Sequence, residues 1–469
     1  MTQPPPHRTI AVVLAAGLGT RMRSRLPKVL HLICGRPMLA YVLDAAREAT
    51  GERPLVVYSP ATAKIRDVFG DEADFALQNE PRGTGDAVRA ALDALPEGVS
   101  EIVVLSGDVP RVPATYVRQI ADRRRAQGAV MCLTTDDQWP IGGYGRVLFD
   151  DGGNVTRIVE EKDATPDELE VEHVNLGMYA FDVAWLRTAL PRMTPSPATG
   201  EHYLTQLVEI GRADGQIVAA WAVDEETGEG CGALLGGIND REELSDAEDR
   251  MRNDMIESWM RRGVTAHHPY EIYIEPTVEL AEDVELWGQV VLRGTTRIGA
   301  GTVIRAGSEI VDSVIGERCT IWASVIEDSV IGDDVRVGPF SHLRPGAHIG
   351  AGAEIGNFAE IKKASLGPRT KQHHFSYIGD AHVGADVNIG AGTITANYDG
   401  QRKHLTRIGD GAFIGSDTIL RAPVEIGQGG ATGAGSVVTR DVPPGKLAVG
   451  MPARIRERRA PDEPPADDP

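Results

Sequence analysis

The chain has 469 residues, 42% of them hydrophobic and 25% charged, and a formal net charge of −20. That length exceeds one ordinary core and sets two or three globular domains as the expectation. The acidic balance argues against nucleic acid or an anionic membrane as a partner, so any anionic ligand must find a local basic pocket. The four cysteines, Cys34, Cys132, Cys231 and Cys319, are widely spaced and form no CxxC pair. This excludes a zinc site or disulfide framework and fits a reducing cytoplasm. Met1–Arg8 is polar and Pro-rich, and no run of 18 apolar residues occurs anywhere, so neither a signal segment nor a membrane span is expected.

From Thr9 to about Asp224, short apolar runs alternate with amphipathic stretches. Thr9–Ala15, Pro54–Tyr58, Ile102–Leu105 and Val130–Leu133 are predicted strands; Met38–Ala49, Thr84–Leu95 and Val117–Ala126 are predicted helices. Such alternation predicts an α/β, Rossmann-like domain with a mainly parallel sheet, whose ligands sit at the carboxyl ends of the strands. From Asn239 to Arg262, apolar residues fall at near-helical spacing and Gly263 ends the run. This predicts a connecting helix with Asn239 or Asp240 as its N-cap.

Beyond about Pro276 the period becomes six. Ile298, Ile304 and Ile310 fit it, as do Ile331, Val337, Leu343, Ile349, Ile355 and Ile361; a second run is Ile408, Ile414, Leu420, Ile426, Thr432 and Val438. A six-residue period fits neither a helix nor a hairpin array. It predicts a parallel β-helix in which each apolar residue is buried by stacking on the coils beside it. Gly367–Tyr377 and Ala396–Arg407 break the period with polar residues and are expected to be excursions that carry a site. The tail from Arg456 is charged and Pro-rich and is expected to be disordered.

Chemistry concentrates first in Leu14-Ala-Ala-Gly-Leu-Gly-Thr-Arg-Met22 and Leu26-Pro-Lys-Val-Leu-His31. A Gly-rich turn after the first strand lets backbone N–H groups approach phosphates, and Arg21 and Lys28 add cations. It is neither a Walker loop nor a dinucleotide fingerprint. Leu77-Gln78, Gly83-Thr84-Gly85, Ser106-Gly107-Asp108, Gly143–Arg146, Val159–Ala164, Asn175 with Gly177, and Ile238-Asn239 follow in order. Taken together these segments resemble the sugar-phosphate nucleotidyltransferases. More closely they resemble the bifunctional bacterial family that combines UDP-N-acetylglucosamine pyrophosphorylase with glucosamine-1-phosphate N-acetyltransferase. The resemblance implies that UTP and UDP-N-acetylglucosamine are held by Leu14, Ala15, Ala16, Gly17, Lys28, Gln78, Gly83, Thr84, Ser106, Gly107, Asp108, Gly145, Glu160, Asn175 and Asn239. Arg21 and Lys28 would be catalytic, Asp108 and Asn239 would hold Mg2+, Gln78 and Gly83 would read the uracil, and Gly145, Glu160 and Asn175 would hold the sugar. Alone, Asp108 reads as a turn carboxylate and Asn239 as a helix cap. The family pattern is departed from at Leu18, Asp86, Leu176, His202 and Gln206.

In the back half, Phe340–Ile349, Gly356–Gly367, His374–Gly379, Asp386–Tyr398 and Gly415–Thr418 carry the same resemblance. It implies a left-handed β-helix that acetylates glucosamine-1-phosphate from acetyl-CoA. His374, rather than His373, would be the general base, a role that suits a neutral imidazole. The resemblance gives Arg344, Lys362, Tyr377 and Asn388 the sugar phosphate, and Ala391, Asn397, Tyr398, Ser416 and Ala434 the acetyl-CoA. Because Ile361 occupies an inward position, Glu360 and Lys362 face outward, and Glu360 is expected to orient the His374 ring. A position that often carries Arg for coenzyme A aligns with Gly450; Arg454 and Lys446 are the nearby cations. The expected organisation is a nucleotidyltransferase domain over 1–238, a linker helix over 239–263, an acetyltransferase β-helix over 264–455 and a tail over 456–469. A cytoplasmic homotrimer acting on small molecules is implied. The rival readings are an ADP-glucose or GDP-mannose synthesising enzyme, which lacks the His374 segment and Asn397–Gly400, and a non-catalytic scaffold.

Overall fold

A computed structural model describes residues 7–137, 143–223 and 232–457. The chain forms two compact units, Met1–Glu248 and Asp249–Pro469. In the first, strand Thr9–Leu14 lies between Leu55–Tyr58 and Glu101–Ser106 and runs parallel to both. The path through the sheet continues to Asp74–Leu77 on one side. On the other it passes through Val174–Asp182 and Met131–Asp136 to Val218–Ala222. Only Val174–Asp182 runs against its neighbours along this path. The central strands are apolar on both faces because both are covered. Ala11, Val13, Val103 and Leu105 join one core with Leu39, Leu43, Val117 and Ile120 of helices Met38–Thr50 and Ala114–Ala126. Ile10, Val12, Ile102 and Val104 join the other with Val88 and Ala91 of helix Thr84–Ala94. The predicted strands and helices are all present, displaced at their ends by up to three residues.

The second unit is a parallel β-helix. Tyr273 pairs with Val291 and Val291 with Glu309, one coil for every three hexapeptides. All fifteen predicted inward residues, from Ile298 to Val438, are buried. The two expected interruptions behave differently. Gly367–Tyr377 is no excursion: Glu354 pairs with Lys371 and Ile355 with Gln372, and the next coil follows in the same step. Its polar residues stand inside a regular coil, with Gln372 fully buried in an inward slot. Ala396–Arg407 is a true insertion. Ala364 pairs with Ala381, seventeen residues on, but Ala381 pairs with Thr406, twenty-five on. The extra residues form a turn closed by a Tyr398–Lys403 bridge, with backbone N–H groups of Gln401 and Arg402 donating to the Asp399 carboxylate.

The connecting helix spans Arg241–Arg261. Asp240, not Asn239, caps it: its Oδ1 accepts from the N–H groups of Glu242 and Glu243, both at 3.0 Å. The division between the units falls within this helix, after Glu248. Glu248 accepts from the Cys34 N–H in the first unit at 2.7 Å, and Ile256 belongs to the solenoid core. At the far end, strand Ala453–Glu457 pairs antiparallel with Lys446–Gly450. Arg456 and Glu457, expected in a disordered tail, are therefore held by sheet pairing and by a Lys446–Glu457 ion pair. Residues 458–469 and Cys231 lie outside the described residues.

Candidate functional sites

At the front, the chain leaves strand Thr9–Leu14 and turns through Gly17–Gly19 into a one-turn helix, Thr20–Met22. Gly19 has φ +57°, and a Cβ there would lie 2.6 Å from the Cβ of Lys28. Only glycine lets the loop close over the lysine stem. Lys28 is thereby aimed at Asp108, with which it forms an ion pair, and its Nζ also lies 3.4 Å from Asn239 Oδ1. Asp108 follows strand Glu101–Ser106 at the carboxyl edge of the sheet. The Gly107 N–H donates to Leu14 O at 2.9 Å, and the Ile238 N–H to Asp108 O at 2.9 Å. Those two bonds tie the first loop, Asp108 and Asn239 together. With capping taken by Asp240, the Asn239 amide is free to face the cation; its Nδ2 donates to Gly237 O at 3.2 Å, which turns Oδ1 the other way. Two hard oxygens thus converge on one positive charge. Arg21 is exposed and hydrogen-bonds to none of these groups.

The base-side residues form a second cluster. Gly83 has φ +104°, and a Cβ on it would meet the His202 backbone oxygen at 2.6 Å. His202 braces this loop through its main chain: its N–H donates to Arg82 O and its carbonyl accepts from the Gly85 N–H, both at 2.8 Å. Thr84 Oγ1 accepts from the Leu204 N–H at 3.0 Å. Gln78 is buried, and its Nε2 donates to Gly83 O and to Asp86. Gln206 is turned away, bonded to Thr194. On the sugar side, Glu160 borders a groove of about 760 Å3 with Lys162, Asp163, Tyr203 and Thr205. Burial pushes the Glu160 carboxyl above its ordinary pKa, against a hydrogen bond from Thr205 at 2.9 Å. Asn175 donates to the Tyr179 hydroxyl at 2.6 Å and accepts from the Gly177 N–H at 3.2 Å, while its own N–H donates to Gly145 O at 2.9 Å.

At the back, His373, His374, Asn388, Ala391, Phe413, Ser416 and Ala434 line a cleft of about 380 Å3. Three of the five residues expected for acetyl-CoA are there beside the expected base. Asn397 and Tyr398 are not: the Asn397 amide donates to Asp380 and, at 3.4 Å, to the Tyr377 hydroxyl. Tyr398 is exposed on the insertion and donates to Gly400 O at 2.7 Å. The expectation for Glu360 is overturned. It is ion-paired with Arg344 at 2.7 Å, and the carboxylate that reaches an imidazole is Glu354, 2.8 Å from His373 Nε2. His374 is exposed, and its ring lies edge-on to that of His373, with centroids 6.4 Å apart. The Lys362 ammonium has its pKa depressed by a contact with Lys403 and by the Arg344 charge. Arg344, Lys362 and Lys403 therefore form a cationic cluster suited to a phosphate dianion. Lys403 was not among the expected residues. It belongs to the insertion, and its place beside Lys362 depends on the Tyr398–Lys403 pairing.

Comparison with known proteins bears on both halves. Residues 11–227 match the MobA-like NTP transferase domain, and residues 328–363 match the bacterial transferase hexapeptide family, six repeats. The bifunctional protein GlmU of Heliobacterium modesticaldum is 44% identical over 94% of this chain and 95% of its own length. That of Caldanaerobacter subterraneus subsp. tengcongensis is 42% identical over 96% of each. The chain belongs to the GlmU family of bifunctional proteins. The GlmU of Rubrobacter xylanophilus, 44% identical over 95% of this chain and 93% of its own length, extends the same end-to-end match. The front unit is accordingly a nucleotidyltransferase and the back unit a hexapeptide-repeat acetyltransferase, in one enzyme. Among the described residues, no helix is long and apolar enough to cross a membrane.

Proposed function

We propose that the back site acetylates glucosamine-1-phosphate and that the front site then joins the product to UMP, as the family's synthesis of UDP-N-acetylglucosamine requires. In the cleft, His374 accepts a proton from the sugar amine as nitrogen attacks the thioester carbonyl, and coenzyme A leaves as its thiol. Arg344, Lys362 and Lys403 hold the sugar phosphate. At the front, an oxygen of the sugar 1-phosphate attacks the α-phosphorus of UTP and pyrophosphate leaves. No protein nucleophile takes part; positioning and charge neutralisation carry the transfer. Lys28 neutralises phosphate oxygens, with Arg21 at the mouth of the loop. Gln78 and Gly83 meet the uracil, and Glu160, Asn175 and Gly145 meet the sugar.

The convergence of Asp108 and Asn239 on the Lys28 charge is the observation that carries the front assignment. The same two oxygens suit Mg2+, which keeps several waters and takes few protein ligands. Bound between Asp108, Asn239 and the nucleotide, it would supply neutralisation of the phosphate charge. The setting is the cytoplasm, where UTP and acetyl-CoA are available, and the assembly is a homotrimer.

The test supplies glucosamine-1-phosphate, acetyl-CoA, UTP and magnesium to the protein and follows thiol and pyrophosphate release separately. Asp108→Ala should abolish pyrophosphate release and leave thiol release unchanged. Loss of both activities in a folded variant would overturn the two-site assignment.

A further inference from the structure

One side chain at the front site is held in a single orientation. Gln78 is 3% exposed, and its Nε2 donates to Gly83 O at 3.1 Å and to Asp86 Oδ2 at 3.2 Å. Both partners only accept, so a reversed amide would set its oxygen against a carbonyl and a carboxylate at once. Asp86 is itself fixed. Arg89 Nη1 donates to its other oxygen at 3.1 Å, and Arg89 Nη2 donates to Leu190 O at 3.3 Å. No donor among the described residues reaches Gln78 Oε1.

We propose that Asp86 sets the nucleobase specificity of the front site by locking the Gln78 amide with its oxygen toward the base. The inference rests on the reading of Gln78 as a base contact and adds the residue that gives the contact its sense. A fixed amide oxygen accepts a hydrogen bond from the N3–H of uracil. Cytosine presents a lone pair at that atom and would face oxygen with nitrogen, acceptor against acceptor. A site built to receive a substrate N–H discriminates strongly against an analogue that lacks it, because the buried partner is left unpaired. An amide free to turn would serve either base, donating to cytosine with Nε2. Asp86 touches no substrate; it is a positioning residue, and Arg89 supports it.

The experiment compares kcat/KM for UTP and CTP in pyrophosphate release with N-acetylglucosamine-1-phosphate as the attacking substrate, using the full-length protein. Asp86→Ala leaves only Gly83 O to hold the amide, and the UTP:CTP ratio should fall about tenfold, the scale of one charge-assisted hydrogen bond. Asp86→Asn keeps an acceptor that can turn toward Nε2, so the ratio should stay close to wild type. Acetyl transfer in the other unit should be unchanged in both variants, and an unchanged melting transition of the front unit by calorimetry reports that the unit carrying Asp86 is folded. A wild-type ratio in Asp86→Ala overturns the lock, and so does an equal fall in Asp86→Asn, which would make charge rather than hydrogen bonding the cause. Gln78→Ala separates the two levels. If it collapses the ratio while Asp86→Ala does not, only the lock is wrong. If it leaves the ratio untouched, the base contact fails and the lock falls with it.

Discussion

His373 and His374 share a cleft but not a setting. The first is tied to Glu354 at 2.8 Å; the second is exposed beside Asn388 and Ala391 and, among the described residues, has no carboxylate on its ring. A tethered imidazole is a plausible base as well, since a carboxylate partner fixes tautomer and orientation. The two readings part on substitution. With His374 as the base, His374→Ala should slow acetyl transfer by about a hundredfold or more, the scale of general-base loss, and His373→Ala should cost little. Neither should shift the acetyl-CoA dissociation constant much, because the base acts on the amine. Uridylyl transfer from UTP to supplied N-acetylglucosamine-1-phosphate should be unaffected. The reverse order of losses would assign the base to the Glu354–His373 pair, and small losses in both would leave the amine to deprotonate unaided. At this scale the sequence was informative about identities and poor on partners. Asp108, Lys28 and Asn239 lie in separate segments, yet their motifs placed them in one site. That Asp240 rather than Asn239 caps the helix, or that Glu360 faces Arg344 rather than His374, depends on side-chain directions that no spacing encodes.

The coil that carries both histidines holds an anomaly of its own. Gln372 fills an inward slot that isoleucine fills at Ile355 below it and at Ile389 above. Its Nε2 donates to Ser376 Oγ at 2.8 Å, and that hydroxyl donates to His374 O at 2.9 Å. Its buried Oε1 has no partner among the described residues. A buried acceptor without a donor costs about 1–3 kcal/mol, whereas an apolar side chain in the slot would extend the stack. Gln372→Ile should therefore raise the melting temperature of the solenoid by roughly the equivalent of 1 kcal/mol, measured by calorimetry. A clear fall would show that the oxygen is satisfied in solution by a trapped water. The same coil explains where reading by period failed. Polar residues at apolar positions look like a departure from the scaffold, but register is set by backbone pairing, which continues unbroken through Lys371–Gln372. In Ala396–Arg407 the residues themselves are extra, so the break in period was a real insertion. The apolar six-residue repeat and the strand–helix alternation were legible because burial alone dictates them.

Across the whole molecule, the cleft beside His374 is small for the acetyl-CoA proposed to bind there. About 380 Å3 of open groove on one solenoid is small for acetyl-CoA, since pockets usually enclose about 70–90% of the surface of even a drug-sized ligand. Phe413 on its wall and Phe375, next in sequence to His374, are 46% and 58% exposed. Aromatic side chains left open around a site are what a second protein surface covers. Closed rings of identical subunits place the same edge of each solenoid against its neighbour, so a cleft at that edge is completed once per interface. The full-length protein should accordingly have about three times the 50.3 kDa chain mass in sedimentation equilibrium. Activity should follow the assembly at one site only. As the protein is diluted through its dissociation range, specific acetyl-transfer activity should fall together with the trimer fraction. Uridylyl transfer per chain should stay constant, because Lys28, Asp108 and Asn239 all come from one chain. Saturating acetyl-CoA should shift the dissociation to lower protein concentration, since a ligand bound across an interface stabilises it by mass action. A monomer that keeps full acetyl transfer at every dilution would show that the cleft is complete within a single solenoid.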